Sequence, residues 1–358
     1  MRGFFRKHYL IILILFLGFF LRFYHLGLPV LNTDEAEVYL VSQSIFEGGV
    51  PRGFYKLQLY ENAYLFESNS SMYEFEPTNY YKSDLVLKKG WFPYYLTAFV
   101  SLFGKSEFLL RFPFALISVI SLFFFFKLSN LLFNKRTAFI ASFFYSISPS
   151  LLFYERVVRY YSPMLLFLIL SLYFYVKAFK DCKRKDYFLG AISLTLLFYT
   201  NILIFLSLAI VLFIYWLVMK TGFSRELIYS TILAFVLIVP WLLGTGFLWK
   251  FVSEPGSITE PVFQSIVAGI NNQGSLYIFF YLGIVVLLIN IFFKKIISKT
   301  FFYWKNKNSN YLILISLFSF IIIPYLLAPP SSFEEKLFLS LIPFSLILIA
   351  KLFDSFMN

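Results

Sequence analysis

The chain has 358 residues, of which 59% are hydrophobic and 14% charged, with 50 Phe and 26 Tyr. A water-soluble domain carries about 25% charged residues, so composition excludes a soluble enzyme, a disordered chain and a fibrous repeat. One cysteine, Cys182, and two histidines, His8 and His25, exclude an intrachain disulfide and leave too few ligands for a His/Cys zinc centre.

In chain order, Arg2, Arg6 and Lys7 precede an apolar run from Tyr9 to Leu21, which reads as an uncleaved signal anchor. Residues 25–106 form a long polar first outer loop. Apolar stretches long enough for helices follow near 107–127, 137–153, 160–178, 187–199, 201–219, 226–244, 276–293, 311–328 and 337–353, with a second outer loop at 249–275. Backbone groups in lipid must be satisfied within the segment, so these are predicted to be spanning helices. The runs are continuous rather than alternating, which excludes a β-barrel. Segment 92–103 is too short to span and is placed on or partly in the membrane. The predicted fold is therefore all-α. It is a single polytopic transmembrane bundle over residues 1–358, with about ten spanning helices, short surface helices in the first outer loop and no soluble C-terminal domain.

Charge supports that topology. With the N-terminus inside, 19 of the 31 Lys and Arg fall on the inner side, against four acids, Asp181, Asp186, Glu226 and Asp354. This is the positive-inside pattern, and it accounts for the net charge of +12 without a nucleic-acid partner. All 14 prolines fall in outer loops or the outer halves of helices. Irregular backbone at membrane depth is tolerated around protein-lined cavities, so the functional face is predicted to be the outer one.

Four stretches carry candidate chemistry. In the first, Asn32 or Thr33 caps a helix that places Val38, Val41 and Ile45 on one face, suited to lying on the membrane surface. Asp34 and Glu35 in its first turn either complement the helix dipole or supply a general base at the bilayer edge. In the second, Ser148-Pro149 leads to Glu155-Arg156-Val157-Val158-Arg159-Tyr160. Arg156 and Arg159 share a helical face, and Glu155 is spaced to pair with Arg159. The block is either a salt bridge with snorkelling arginines or a phosphate clamp. The third, Lys88-Lys89-Gly90-Trp91-Phe92-Pro93-Tyr94-Tyr95, fits an interfacial aromatic belt. The fourth, Pro329-Pro330-Ser331-Ser332-Phe333-Glu334-Glu335-Lys336, fits a polar loop.

In this order the pieces resemble the membrane-embedded GT-C glycosyltransferases, the superfamily of protein O-mannosyltransferases and aminoarabinose-lipid transferases. The likeness rests on Asp34-Glu35 with Tyr39, on Pro93-Tyr94-Tyr95, on Phe103-Gly104-Lys105-Ser106-Glu107 through Arg111-Phe112-Pro113, on the 148–161 block and on Leu341-Ile342-Pro343. Phe92 stands where many members have a second proline, and Lys336-Leu337 where the last outer loop often has Arg-Tyr. The resemblance implies transfer of a sugar from a polyprenyl-phosphate donor to a glycan, lipid or protein acceptor at the outer face of a bacterial cytoplasmic membrane, with inversion. It implies Asp34 as base with Glu35 beside it, and Arg156, Arg159 and Lys89 at the donor phosphate. It places Tyr39, Tyr94, Tyr95, Glu155, Tyr160 and Lys336 around the substrates. The sequence names no cofactor and leaves metal dependence open, since Glu35, Glu74 and Glu76 are oxygen donors suited to a hard divalent cation. The alternative is a lipid-carrier flippase or solute transporter, against which stands the lack of an internal repeat.

Overall fold

The computed structural model describes residues 2–52, 54–55, 58–59, 85–86, 89–219, 224–245, 312–313, 316, 319 and 339–356. The first helix, α1, runs Arg2–Phe23 and is followed by α2, Thr33–Gln43, and α3, Ile45–Gly48. A two-residue antiparallel hairpin, β1 (Phe54–Tyr55) with β2 (Gln58–Leu59), pairs Phe54 with Leu59. Then come α4, Phe92–Ser101, α5, Glu107–Leu132, α6, Lys135–Ile147, and α7, Pro149–Tyr154. The chain continues with α8, Tyr161–Asp181, α9, Arg184–Phe198, α10, Ile202–Met219, and α11, Arg225–Gly244. A C-terminal helix occupies Ile342–Phe356.

Helix starts follow local chemistry. Ser106, Asn134 and Ser224 each accept a backbone N–H from the first turn of α5, α6 and α11, satisfying donors that have no intrahelical partner. The core is built around α8, which packs on α5, α9 and α10. Its apolar window is 78% buried, whereas that of α11 is 22% buried. The first is therefore the axis of the bundle and the second faces out. Large side chains such as Phe16 of α1, Phe213 of α10 and Phe235 of α11 are exposed. On a chain this apolar, such a surface is one for hydrocarbon rather than water. The chain is a multi-pass integral membrane protein.

Among the described residues, three helices (α5, α8 and α11) are long and apolar enough to cross a membrane by length and composition, and Tyr9–Phe23, Ile202–Leu217 and Leu339–Lys351 are shorter apolar helices. The count of ten spans is thus not reached there. One reason is that the predicted helix 137–153 is two helices. The chain breaks at Ser148, whose ψ of 118° is non-helical, and α7 restarts at Pro149. Proline lacks a donor and tolerates only the first turn. The predicted helix 276–293 and most of 311–328 lie outside the described residues, as does the second outer loop.

Candidate active site

Asn32 opens α2 with a capping box. Its side chain accepts the Glu35 N–H at 2.9 Å, and its own N–H donates to Glu35 Oε2 at 3.0 Å. Val38 and Val41 are buried in a cluster with Val86, Tyr94, Leu110, Phe114 and Val158. The apolar face of α2 therefore rests on α4, α5 and the 155–160 segment, and not on the lipid surface that the sequence suggested. Asp34 and Glu37, three residues apart, share a face of the helix.

Glu35 is fully buried and is locked to Arg111 of α5 by two bonds, Nε to Oε1 at 2.7 Å and Nη2 to Oε2 at 2.6 Å. Arg111 spends its other three donors on the carbonyls of Leu26 (3.1 Å), Pro29 (2.6 Å) and Val30 (3.0 Å). Glu35 also accepts the Val158 N–H at 3.0 Å. A guanidinium has five donors and a carboxylate about four acceptor sites, so both groups are saturated. This pair fastens α2, α5, the 26–30 turn and the 155–160 segment together. A carboxylate so occupied is suited to holding the site in shape.

The 155–160 segment leaves the helix at Tyr154, and Arg159 N–H turns back to the Val157 carbonyl at 2.8 Å. The helical face expected for Arg156 and Arg159 does not exist, because Glu35 draws the Val158 N–H out of any helical register. Three neighbouring charges consequently point three ways. Glu155 does not pair with Arg159. It is fully buried against Arg22 of α1, with Nη2 at 2.7 Å and Nε at 3.1 Å, and it accepts Tyr145 O–H at 2.5 Å. Arg156 donates to the Tyr24 carbonyl at 2.5 Å on the exposed side. Partial burial, then the neighbouring positive charges of Arg111 and Arg22, lower its pKa. Only Arg159 turns toward α2.

There Arg159 ion-pairs with Asp34 through a short contact and approaches Glu37 Oε2 at 3.8 Å, while Lys89 Nζ makes a short contact with Glu37 Oε1. Two cations and two carboxylates thus form one cluster. Burial works against the charge on Arg159, but Asp34 and Glu37 outweigh it and raise the pKa. Arg159 is 5% exposed, and its Nε has no partner. It lines a small cleft with Val38, Lys89, Gly90, Tyr94 and Tyr160. The Asp34 side chain is 37% exposed, so this carboxylate is open to an incoming molecule where Glu35 is closed.

Lys89 is held by a tight backbone corner. A Cβ on Gly90 would lie 2.3 Å from the Thr200 carbonyl oxygen, so only glycine fits there. Phe92 N–H donates to the Tyr199 carbonyl at 2.8 Å, and Trp91 Nε1 donates to the Val86 carbonyl at 2.6 Å. Trp91 is buried with Phe198, Ile238 and Trp241, where an aromatic belt was expected at the interface. A second, mainly apolar groove lies on the Trp91 side, lined by Val50, Arg52, Leu85, Pro240 and Trp241.

Of the remaining expected residues, Tyr94 and Tyr160 border the cleft, and Tyr39 is half-buried against the cluster beneath it. Tyr95 instead donates to the Gly49 carbonyl at 2.7 Å and braces the end of α3; partial burial raises its pKa. Lys336, Glu74 and Glu76 lie outside the described residues. Among the described residues no group of three or more His, Cys, Asp or Glu comes together. Three residues of these networks were not singled out as site residues from sequence. Glu37 was detectable as the acid three residues after Asp34, and Arg111 as the arginine of the 103–113 motif. Arg22 carried no signal, since its partner lies 133 residues away.

Comparison with known proteins agrees with this architecture. The model of a family described as dolichyl-phosphate-mannose-protein mannosyltransferase matches residues 91–243. ArnT from Cupriavidus metallidurans in the apo state superposes with a TM-score of 0.62 at 14% identity, over 96% of this chain and 59% of that one. Its undecaprenyl-phosphate-bound form gives 0.60 at 16% identity, over the same shares. The Archaeoglobus fulgidus oligosaccharyltransferase AglB, in complex with an inhibitory peptide and a dolichol-phosphate, gives 0.54 at 13% identity, over 98% of this chain and 51% of that one. No curated protein matches the chain by sequence. At these identities the likeness is one of fold, and the chain spans three-fifths or less of the length of these structures. The GT-C resemblance read from the sequence is borne out: the chain has the GT-C fold.

Proposed function

We propose that the protein is a glycosyltransferase that moves a sugar from a polyprenyl-phosphate carrier to an acceptor hydroxyl at the outer face of the membrane. The observation that carries this reading is the ion pair between the half-exposed Asp34 and the buried Arg159, with Lys89 in the same cluster. Glycosyl transfer passes through an oxocarbenium-like state. It needs a base for the acceptor proton on one side of the sugar and preorganised positive charge for the departing phosphate on the other. Asp34 suits the first role, and Arg159 with Lys89 the second. In this reading the sugar enters between Asp34 and the two cations, so the base and the departing phosphate lie on opposite sides of the anomeric carbon and the configuration inverts.

Two proteins of the same fold are described as binding lipid phosphates, undecaprenyl phosphate in one and dolichol-phosphate in the other, which supports a lipid-linked donor here. The outer location is supported by the clustering of prolines and by the charge asymmetry of the loops. We assign Glu35 and Glu155 to holding the site together, and Arg156 to anchoring the turn at Tyr24. The reading extends to a hexose or a pentose donor.

The test is a transfer assay with purified protein and polyprenyl-phosphate sugars. Free polyprenyl phosphate should accumulate only with acceptor present, and Asp34→Asn should stop its release while leaving the protein folded. Wild-type turnover in that variant would remove Asp34 from the chemistry. Carrier movement across vesicles without phosphate release would favour a flippase instead.

A further inference from the structure

Both cations assigned to the donor phosphate face carboxylates before any substrate arrives. Among the described residues, Arg159 and Lys89 meet Asp34 and Glu37. A donor phosphodiester cannot simply be added to it, because a third anion would meet two carboxylates at close range. One carboxylate must give way. Among the described residues Asp34 pairs with Arg159, whereas Glu37 pairs with Lys89 and lies 3.8 Å from Arg159. Movement of Glu37 therefore releases Lys89 and opens one side of Arg159, while Asp34 stays in place as the base.

We propose, resting on the glycosyltransferase reading above, that Glu37 is the displaceable counterion of the donor-phosphate site and sets its selectivity for lipid-borne phosphate. A bound phosphate oxygen takes over the contacts that Glu37 makes to Lys89 and Arg159. The unpartnered, buried Nε of Arg159 provides a further donor that Glu37 does not use and a phosphate can. Displacement requires binding energy from elsewhere. A polyprenyl chain supplies it through apolar contact, and inorganic phosphate does not, so the resting cluster excludes free phosphate. On departure of the product carrier, Glu37 returns to the same cations.

The test uses the full chain in detergent, with undecaprenyl phosphate and inorganic phosphate as separate probes. Glu37→Gln should bind undecaprenyl phosphate about fivefold more tightly, the upper end of what one partly exposed ion pair is worth. It should also acquire measurable affinity for inorganic phosphate. Lys89→Met should shrink the gain from Glu37→Gln, since a single cation then remains to be released. Glu37→Asp, with its carboxylate drawn back, should fall between wild type and Gln. Equal or weaker lipid binding in Glu37→Gln overturns the counterion role, and so does loss of the fold in both Glu37 variants. Failure of the wild-type protein to bind undecaprenyl phosphate would instead overturn the glycosyltransferase reading itself.

Discussion

Asp34 and Glu35 are neighbours in one helical turn, yet they belong to two different kinds of ion cluster. Glu35 faces inward, is fully buried, and fills every acceptor site with Arg111 and two backbone N–H groups. Asp34 faces the open side and shares Arg159 with Glu37, in a cluster that leaves a buried donor without a partner. A saturated pair has nothing left to offer a ligand and serves the fold. An unsaturated one is less stable than it could be, and that residual capacity is what a substrate can use. The helix thus presents scaffold and chemistry on adjacent residues, and the two can be separated by experiment.

The largest effect is expected at Asp34. Asp34→Asn should reduce kcat by about 100-fold or more, the range for loss of a general base, with an unchanged thermal midpoint. Glu35→Ala should behave in the opposite way. It strands Arg111 in the interior, and removal of one member of a buried pair costs about 3–5 kcal/mol, so denaturation in detergent should reveal the loss directly. If Asp34→Asn lowers the midpoint as far as Glu35→Ala does, the division between the two clusters fails. Next comes Arg159→Lys, which keeps the charge but loses the fork. Donor KM should rise about tenfold, since Lys cannot hold a phosphate bidentately. Gly90→Ala should destabilise by about 1–3 kcal/mol, the usual range for overpacking, because the Thr200 carbonyl must move; donor KM should rise as Lys89 shifts with it. The smallest effect is expected at Arg156. Arg156→Ala should change donor KM by less than about threefold, as for a half-buried group outside the cluster; a rise matching that of Arg159→Lys would return Arg156 to the phosphate site.

The apolar runs made the helices legible. Length and continuous hydrophobicity located α5, α8 and α11 within a few residues, since lipid leaves a helix few alternatives. The cap at Asn32 and the shared face of Val38 and Val41 were equally readable, but the sequence laid that face on lipid, whereas it packs on α4, α5 and the 155–160 segment. The partners of the charges were not. Spacing paired Glu155 with Arg159 and put Arg156 beside it, but that inference assumed a helix through 155–160. The segment is unwound by a carboxylate more than a hundred residues earlier in the chain, Glu35 reaching Val158 N–H, and no local pattern encodes such a bond. For the same reason the sequence assigned Glu35 a chemical role beside Asp34. Its burial depends on Arg111, whose position in space follows from how α5 packs.

Arg22 sets a condition on biosynthesis. It closes α1, is fully buried, and finds its carboxylate at Glu155, with Tyr145 completing the group. The ribosome must add 133 further residues after Arg22 before that acid exists. Until then the end of the first helix carries a cation without the acid it is built to meet, and such a group stays in the headgroup region, where water can solvate it. Helix α1 therefore reaches its final depth only after α7 has been made, drawn into place by the helices that follow it.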